Sequence, residues 1–332
     1  MINNRSIRFF AAEKITFIYI AVTFITILFL IPEIQNVTKL LGYRLIFVGL
    51  IVLFAYYNSQ HNWWIIKFLR FAFLGALIPY WYPETFEINR ALPNFDFLLA
   101  NWEQNIFGFQ PALLFCQAFP EDWICEVLNL GYFAFYPLII GSSIFFFFTS
   151  RKYFNYFFFT ILFAFLFYFL IFILFPTAGP QYYYSAIGLE NVKAGLFPPI
   201  SHYFNNNQVL LPNTHDSGFF YRLVETTQQL GERPTAAFPS SHVGISTLIM
   251  ILFAKNKHYF VFALILPLYC ALVAATVYIQ AHYLIDVYAG FVMAFVLYFL
   301  SNYVYQLFTK KYFGISELNA IFLKEVVQSR EV

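Results

Sequence analysis

Two short polar clusters interrupt an otherwise apolar chain of 332 residues, and they carry the side chains of nucleophilic and acid–base chemistry. The first, Gly231-Glu232-Arg233-Pro234-Thr235-Ala236-Ala237-Phe238-Pro239-Ser240-Ser241-His242, runs straight into apolar residues. The second is Ala281-His282-Tyr283-Leu284-Ile285-Asp286. Pro239 suits the start of a helix, and Ser240 or Ser241 can cap its free amides. Those amides and the helix dipole make an anion site, with His242 in the first turn. His282 and Asp286 are four residues apart, so a helix through them would place both on one face. A carboxylate there can accept the proton of one imidazole nitrogen and leave the other nitrogen free to attack. An anion-holding helix end, an oriented imidazole and a second imidazole together point to phosphoryl transfer through a phosphohistidine. A lone interfacial histidine, a Ser-Ser-His cap or a helical His/Asp pair is usually structural; the ordered combination carries the reading.

The elements that must position these residues are membrane helices. Hydrophobic residues make up 61% of the chain and charged residues 11%, against about 25% charged in soluble domains. Apolar segments near 15–31, 41–57, 66–82, 128–149, 154–175, 241–254, 259–279 and 283–307 approach the roughly 20 residues needed to span a bilayer. The first is not read as a cleaved signal peptide, since no small-residue cleavage site follows it. The third carries Lys67 and Arg70 in its first turn, where both could snorkel to the interface; the sixth is short. With the N-terminus inside, only Lys39, Arg44, Arg90, Lys193, Arg222 and Arg233 of the 19 cations fall outside, as the positive-inside rule asks. Both histidine clusters then lie at the outer face, periplasmic or lumenal. The expected fold class is all-α: a polytopic membrane helical bundle with extra N-terminal spans and interfacial helices.

The remaining segments organise around that bundle. Residues 1–82 form the N-terminal transmembrane segments, 83–127 an outer-face amphipathic interfacial segment, 128–308 the catalytic core and 309–332 a cytoplasmic tail. In 83–127, Phe95, Phe97, Leu98, Leu99 and Trp102 alternate with Asn94, Asp96, Asn101 and Glu103, which reads as short helices packing on the surface. The net charge of +2 and the absence of a basic stripe exclude a nucleic-acid partner. Three cysteines without a CxxC exclude a zinc ribbon or a disulfide scaffold. Cys116 and Cys125 fall outside and could pair in an oxidising compartment, whereas Cys270 is expected buried and alone. His202, His215 and Asp216 match no metal motif, and the expected mechanism needs no metal or other cofactor. The 47 Phe and 25 Tyr are attributed in part to lipid-facing surface.

Phe238-Pro239-Ser240-Ser241-His242 with His282-Tyr283-Leu284-Ile285-Asp286 resembles the membrane-bound type 2 phosphatidic acid phosphatase superfamily. Phe175-Pro176-Thr177-Ala178-Gly179-Pro180-Gln181-Tyr182 and the run from Thr276 to Tyr283 look like the branch that contains inositol phosphorylceramide synthases. The resemblance spans about 128–307. It implies a six-helix catalytic bundle in which His282 is the nucleophile, Asp286 its orienting partner and His242 the acid that protonates the leaving oxygen. Ser240, Ser241, Arg233, Gly179, Pro180 and Gln181 are the expected substrate-binding positions. The sequence departs from the phosphatase members, which keep an Arg six residues before the nucleophile, where Thr276 stands here, and a Lys-x6-Arg-Pro element, which is missing. A phosphomonoester dianion at membrane depth calls for several cations; a phosphodiester carries one charge. The expectation is therefore transfer of a phospho-headgroup, such as phosphoinositol, from a phospholipid donor to a lipid acceptor such as ceramide. A phosphatase acting on phosphatidic acid or a polyprenyl phosphate is the nearest alternative. A non-catalytic lipid-binding or transport protein is the alternative from another class, although all three catalytic positions are filled. The oligomeric state is left open.

Overall fold

The computed structural model describes residues 6–61, 63–149, 151–211 and 218–309, within which the regular elements are all helical. The tail from residue 310 onward lies outside the described residues, as do His215 and Asp216. The chain opens with three long helices, α1 (Ala11–Phe29), α2 (Val37–His61) and α3 (Trp64–Asn89). Then come α4 (Asp96–Phe107), α5 (Pro111–Ala118), α6 (Asp122–Phe133), α7 (Phe135–Thr149) and α8 (Arg151–Leu174). Short α9 (Pro180–Ile187), α10 (Leu189–Lys193) and α11 (Phe219–Gly231) precede α12 (Ser241–Lys255), α13 (Tyr259–Tyr278) and α14 (Leu284–Thr309).

All eight apolar segments are helical. The helices α1, α2, α3, α8, α13 and α14 are long and apolar enough to cross a bilayer. The pair α6 and α7, bent by 42° at the break between them, is long and apolar enough only when the two are taken together. With 15 residues, α12 is too short: at 1.5 Å per residue it reaches about 22 Å, against a hydrocarbon core of roughly 30 Å. The protein is thus an integral membrane helical bundle. Apolar on every side, α8 is its central helix, burying Phe157, Phe159, Tyr168, Phe169 and Phe172 against α1, α3, α7, α12 and α14. Much of the aromatic excess is therefore protein core as well as lipid-facing surface. At the periphery, α2 packs on α1 and α3.

Two buried arginines within the spans are paired with carboxylates. Arg70 does not snorkel: it is 4% exposed, grips both oxygens of Glu13, donates to Asn58 at 2.7 Å and reaches the Arg8 carbonyl at 2.9 Å. Arg44 is likewise no loop cation. It is buried in α2 and binds Glu84 through two 2.9 Å bonds. Because Arg44 neutralises Glu84, α3 continues past residue 82, carrying Pro79 and Pro83 inside it as membrane helices tolerate. Residue 127 falls inside α6 in the same way.

Candidate active site

The two histidine clusters meet at one end of the bundle, where α12 and α14 begin. Ser240 is the N-cap of α12, its hydroxyl accepting the Val243 amide at 3.4 Å. Its own amide donates to the Asp286 carbonyl at 3.0 Å, which ties the start of α12 to the first turn of α14. Gly290 permits this approach, since a Cβ there would collide with the Ser240 carbonyl. The first-turn amides of Ser241 and His242 have no helical carbonyl four residues back and remain for an anion.

His282 is almost wholly buried, at 3% exposed. Its Nδ1 lies 2.8 Å from the Ala237 carbonyl. A carbonyl can only accept, so Nδ1 carries the proton and Nε2 keeps its lone pair. That Nε2 faces His242 Nδ1 at 3.4 Å. Burial pushes the His282 pKa down to about 4, against smaller opposing effects of the Ala237 hydrogen bond and Glu232. The imidazole is therefore neutral and nucleophilic at neutral pH. His242 is held by rings, stacked on Tyr132 at 4.7 Å between centroids and tilted against Phe135 at 4.3 Å.

Asp286 sits differently from the expected helical pair. Helix α14 starts at Leu284, so His282 precedes it. Asp286, third residue of the helix, reaches back with Oδ2 to the Tyr283 amide at 2.9 Å, the carboxylate half of a capping box. The same oxygen is 3.5 Å from His282 Nδ1. The closer partner of His282 is thus the Ala237 carbonyl, with Asp286 behind it.

Ala237 is in turn placed by the loop that follows α8. Its amide donates to the Thr177 carbonyl and the Phe238 amide to the Thr177 hydroxyl, both at 2.9 Å. Asp96 of α4 clamps that loop, accepting the amides of Ala178 at 2.6 Å and Gly179 at 2.8 Å and the Asn94 side chain. Gly179, with φ +87°, lies against the Ala281 carbonyl where no Cβ fits, and Pro180 opens α9. These two residues shape the backbone beside His282. The Gln181 amide donates to the Gln280 carbonyl at 2.8 Å, while its side chain donates to Glu232 at 3.0 Å and accepts from Gln228 at 3.2 Å. Half-buried Arg233 turns its guanidinium onto the Glu232 carbonyl at 2.7 Å.

Four side chains important here were missed by the sequence reading. Tyr132 stacks on His242 and donates its hydroxyl to Glu232 at 2.9 Å; burial pushes the Glu232 carboxyl above its ordinary value. Asp96 and Glu103 are fully buried while Trp102 and Ile106 are exposed, so α4 turns these two acids, and not only apolar residues, toward the protein. Its alternation with Phe and Leu hid the fact that the carboxylates, too, point inward. The visible signal was a pair of acids seven residues apart, two helical turns, on one face.

Beside the site, α5, α6, α11 and α13 enclose a cavity of about 170 Å³ whose polar lining includes Asn129, Tyr221, Gln228 and Gln280. Gln228 joins it to the Gln181–Glu232 pair. Cys116 and Cys125, which also line it, are free thiols, and Cys270 is exposed rather than buried because its face of α13 points outward from the bundle. His202 is exposed, with Nδ1 3.3 Å from the Arg90 carbonyl. Among the described residues no three His, Cys, Asp or Glu side chains group to hold a metal.

No curated protein and no solved structure matches the chain. A family model described as the PAP2 superfamily does match, over residues 98–300, more than half of the sequence and including both histidine clusters. With that match lying on the paired imidazoles and the helix start beside them, the chain belongs to the PAP2 superfamily.

Proposed function

We propose that the protein is a lipid phosphotransferase that moves a phospho-headgroup from a phospholipid to a lipid alcohol through a phosphohistidine at His282. The observation that carries this is the 3.4 Å approach of His282 Nε2 to His242 Nδ1, with His282 Nδ1 committed to the Ala237 carbonyl. Burial, and then the neighbouring His282, lower the pKa of His242, and the negative charge of a phosphate bound beside it opposes that shift. His282 Nε2 attacks phosphorus, and the bond from phosphorus to the diacylglycerol oxygen breaks as the His242 imidazolium gives that oxygen a proton. In the second half, the acceptor hydroxyl returns a proton to His242. Its oxygen takes the phosphoryl group from His282, breaking the P–N bond. Ser240, Ser241 and the first amides of α12 hold the phosphoryl oxygens.

Transfer is favoured over phosphomonoester hydrolysis by the charge around the pair. The guanidinium of Arg233 is turned to a backbone carbonyl, and the ionisable groups beside the pair include the Asp286 and Glu232 carboxyls. Such surroundings suit a singly charged phosphodiester. The neighbouring cavity is mainly apolar, and its polar groups, among them Asn129, Glu225, Gln228 and Gln280, can meet the hydroxyls of a headgroup such as inositol. On this reading the short α12 starts, with its anion site, below the membrane surface, so that both lipids enter laterally. We place the site at the periplasmic or lumenal face, with the protein in a bacterial inner membrane as the leading assignment and ceramide as the leading acceptor.

The test is turnover of headgroup-labelled phosphatidylinositol by purified protein in lipid, with and without ceramide. A ceramide-dependent labelled lipid that vanishes in His282→Ala is expected. Inorganic phosphate from phosphatidic acid with no ceramide-dependent product would overturn the transferase reading in favour of the phosphatase.

A further inference from the structure

Behind the catalytic pair lies a second charged group that the mechanism above does not use. Glu103 of α4 is fully buried, and its Oε1 accepts the Ile285 amide at 3.1 Å. Ile285 is the second residue of α14, so Glu103 occupies one of that helix's free first-turn amides while Asp286 occupies another from inside the helix. Each carboxyl has one oxygen left over. Glu103 Oε2 and Asp286 Oδ1 are both buried and without a hydrogen-bond partner. Two carboxylates facing one helix end, each with an orphaned oxygen, repel one another, and the charge of each raises the proton affinity of its neighbour. One proton between them removes the repulsion and turns one orphaned acceptor into a donor for the other.

We propose that Glu103 holds a proton on Oε2 and shares it with Asp286 Oδ1, making Glu103 a positioning residue that keeps Asp286 charged and fixed behind His282. The chain then reads His282 Nδ1, Asp286 Oδ2 and Oδ1, Glu103 Oε2. A bound cation is the poorer occupant, because both carboxyls already face the positive end of α14. Burial, opposed by the α14 amides and helped by Asp286, pushes the Glu103 carboxyl up to about 8. The other groups facing this pocket do not supply the missing charge. Asp96 is on the same helix with its oxygens committed to Ala178, Gly179 and Asn94. The Tyr283 hydroxyl is turned toward Asp96 but beyond hydrogen-bond reach. From α9, the Tyr184 hydroxyl donates to Gln110 at 2.7 Å and that of Tyr183 to the Pro198 carbonyl at 2.8 Å.

The functional consequence has a definite sign. Below about pH 8 Glu103 is neutral and the pair is satisfied; above it, ionisation puts a second negative charge against Asp286 and loosens the start of α14 beside His282. This rests on the catalytic role proposed for His282, and two readouts keep the ideas separable. The first is the pH profile of lipid turnover. Wild type should show a loss of kcat near pH 8 in addition to the one set by deprotonation of His242, Glu103→Leu should fall at least tenfold at pH 7, and Glu103→Gln, neutral with a donor and an acceptor in place, should restore most of that loss and remove the limb near pH 8, keeping only the one that His242 sets. A Glu103→Gln profile that keeps the limb near pH 8, or activity as low as Glu103→Leu, would overturn the proposal. The second is infrared spectroscopy of the resting protein, independent of any turnover. A protonated-carboxyl C=O band that disappears in Glu103→Gln and shifts in Asp286→Asn is expected. Absence of that band at pH 7 refutes the shared proton even if His282 proves to be the nucleophile.

Discussion

Asp96 is the residue whose removal tests the whole support of the site. It touches neither histidine, yet its carboxylate accepts the buried amides of Ala178 and Gly179 and the Asn94 side chain. The loop so held carries Thr177, which fixes Ala237, whose carbonyl binds His282 Nδ1. In Asp96→Ala the two amides lose their acceptor in a place water does not reach. A buried donor left unsatisfied costs about 1–3 kcal/mol, so the pair costs roughly 2–6 kcal/mol. Part is offset, because burial of the carboxyl is itself unfavourable and raises its pKa; a net loss of about 2–4 kcal/mol is expected. Asp96→Asn keeps one acceptor oxygen and turns an NH₂ toward the other amide, so it should fall between the alanine variant and wild type. Activity should fall further than stability suggests. A displacement near 1 Å at a reacting group can cost on the order of 100-fold, and Ala237 is three links away. A 10- to 100-fold drop in kcat with KM within a factor of about three is expected. Equilibrium unfolding in detergent and lipid turnover at a temperature where the variant is folded measure the two effects. An Asp96→Ala protein within about 0.5 kcal/mol and twofold of wild type would refute the clamp.

Two further expectations follow from the same geometry. His282 titrates at about 4 because it is buried, so the neutral nucleophile persists above that pH, and the acid limb of kcat/KM should lie near pH 4 rather than near 6.5. A limb near 6.5 would contradict the burial. Stability carries the matching sign. The unfolded chain takes up the His282 proton below about pH 6.5 and the folded chain does not until about 4, so folding weakens across that window by up to about 3 kcal/mol, at 1.36 kcal/mol per unit. At Gly290, a methyl group would meet the Ser240 carbonyl and push α12 from α14. Gly290→Ala should therefore lose more than tenfold in turnover, while Gly42→Ala in α2, where nothing lies within 4 Å, should change turnover less than twofold.

The apolar periods located eight segments that are helical, six of them within helices long and apolar enough to cross a bilayer, and the family-like motifs located both histidines, because each signal is local. Pro239 followed by Ser240 marked a helix start from a few residues, and Ser240 is its N-cap. What stayed hidden depends on tertiary pairing. Arg70 looked like a residue reaching for the membrane surface until Glu13, 57 positions away, proved to be its partner. Asp286 read as the first partner of His282 because helical spacing was assumed through residue 282. The nearer acceptor is a backbone carbonyl 45 residues upstream, and backbone carbonyls leave no trace in sequence. Asp96 and Glu103 were legible as acids but not as buried ones, since the bonds that hold them inside are made to amides of Ala178, Gly179 and Ile285.

The scarcity of cations acquires a physical meaning once partners are known. Arg44 is bound by Glu84, Arg222 donates to the Gly218 carbonyl at 3.1 Å, and Arg233 turns to the Glu232 carbonyl. None of these three presents an uncommitted guanidinium to the paired histidines, and Glu232, Glu103, Asp286 and Asp96 surround that end of the bundle instead. Any of these carboxyls that is ionised repels a dianion twice as strongly as a monoanion. The opposing attraction comes from the α12 amides and dipole, worth a fraction of a unit charge. On the proposed reading that balance favours a phosphodiester, whose single charge is matched by a helix end. The same acids tolerate burial only by holding protons or amide bonds. A surplus of protonatable groups beside a neutral nucleophile suits a reaction in which the acceptor is an alcohol that must lose its proton at the moment it takes the phosphoryl group.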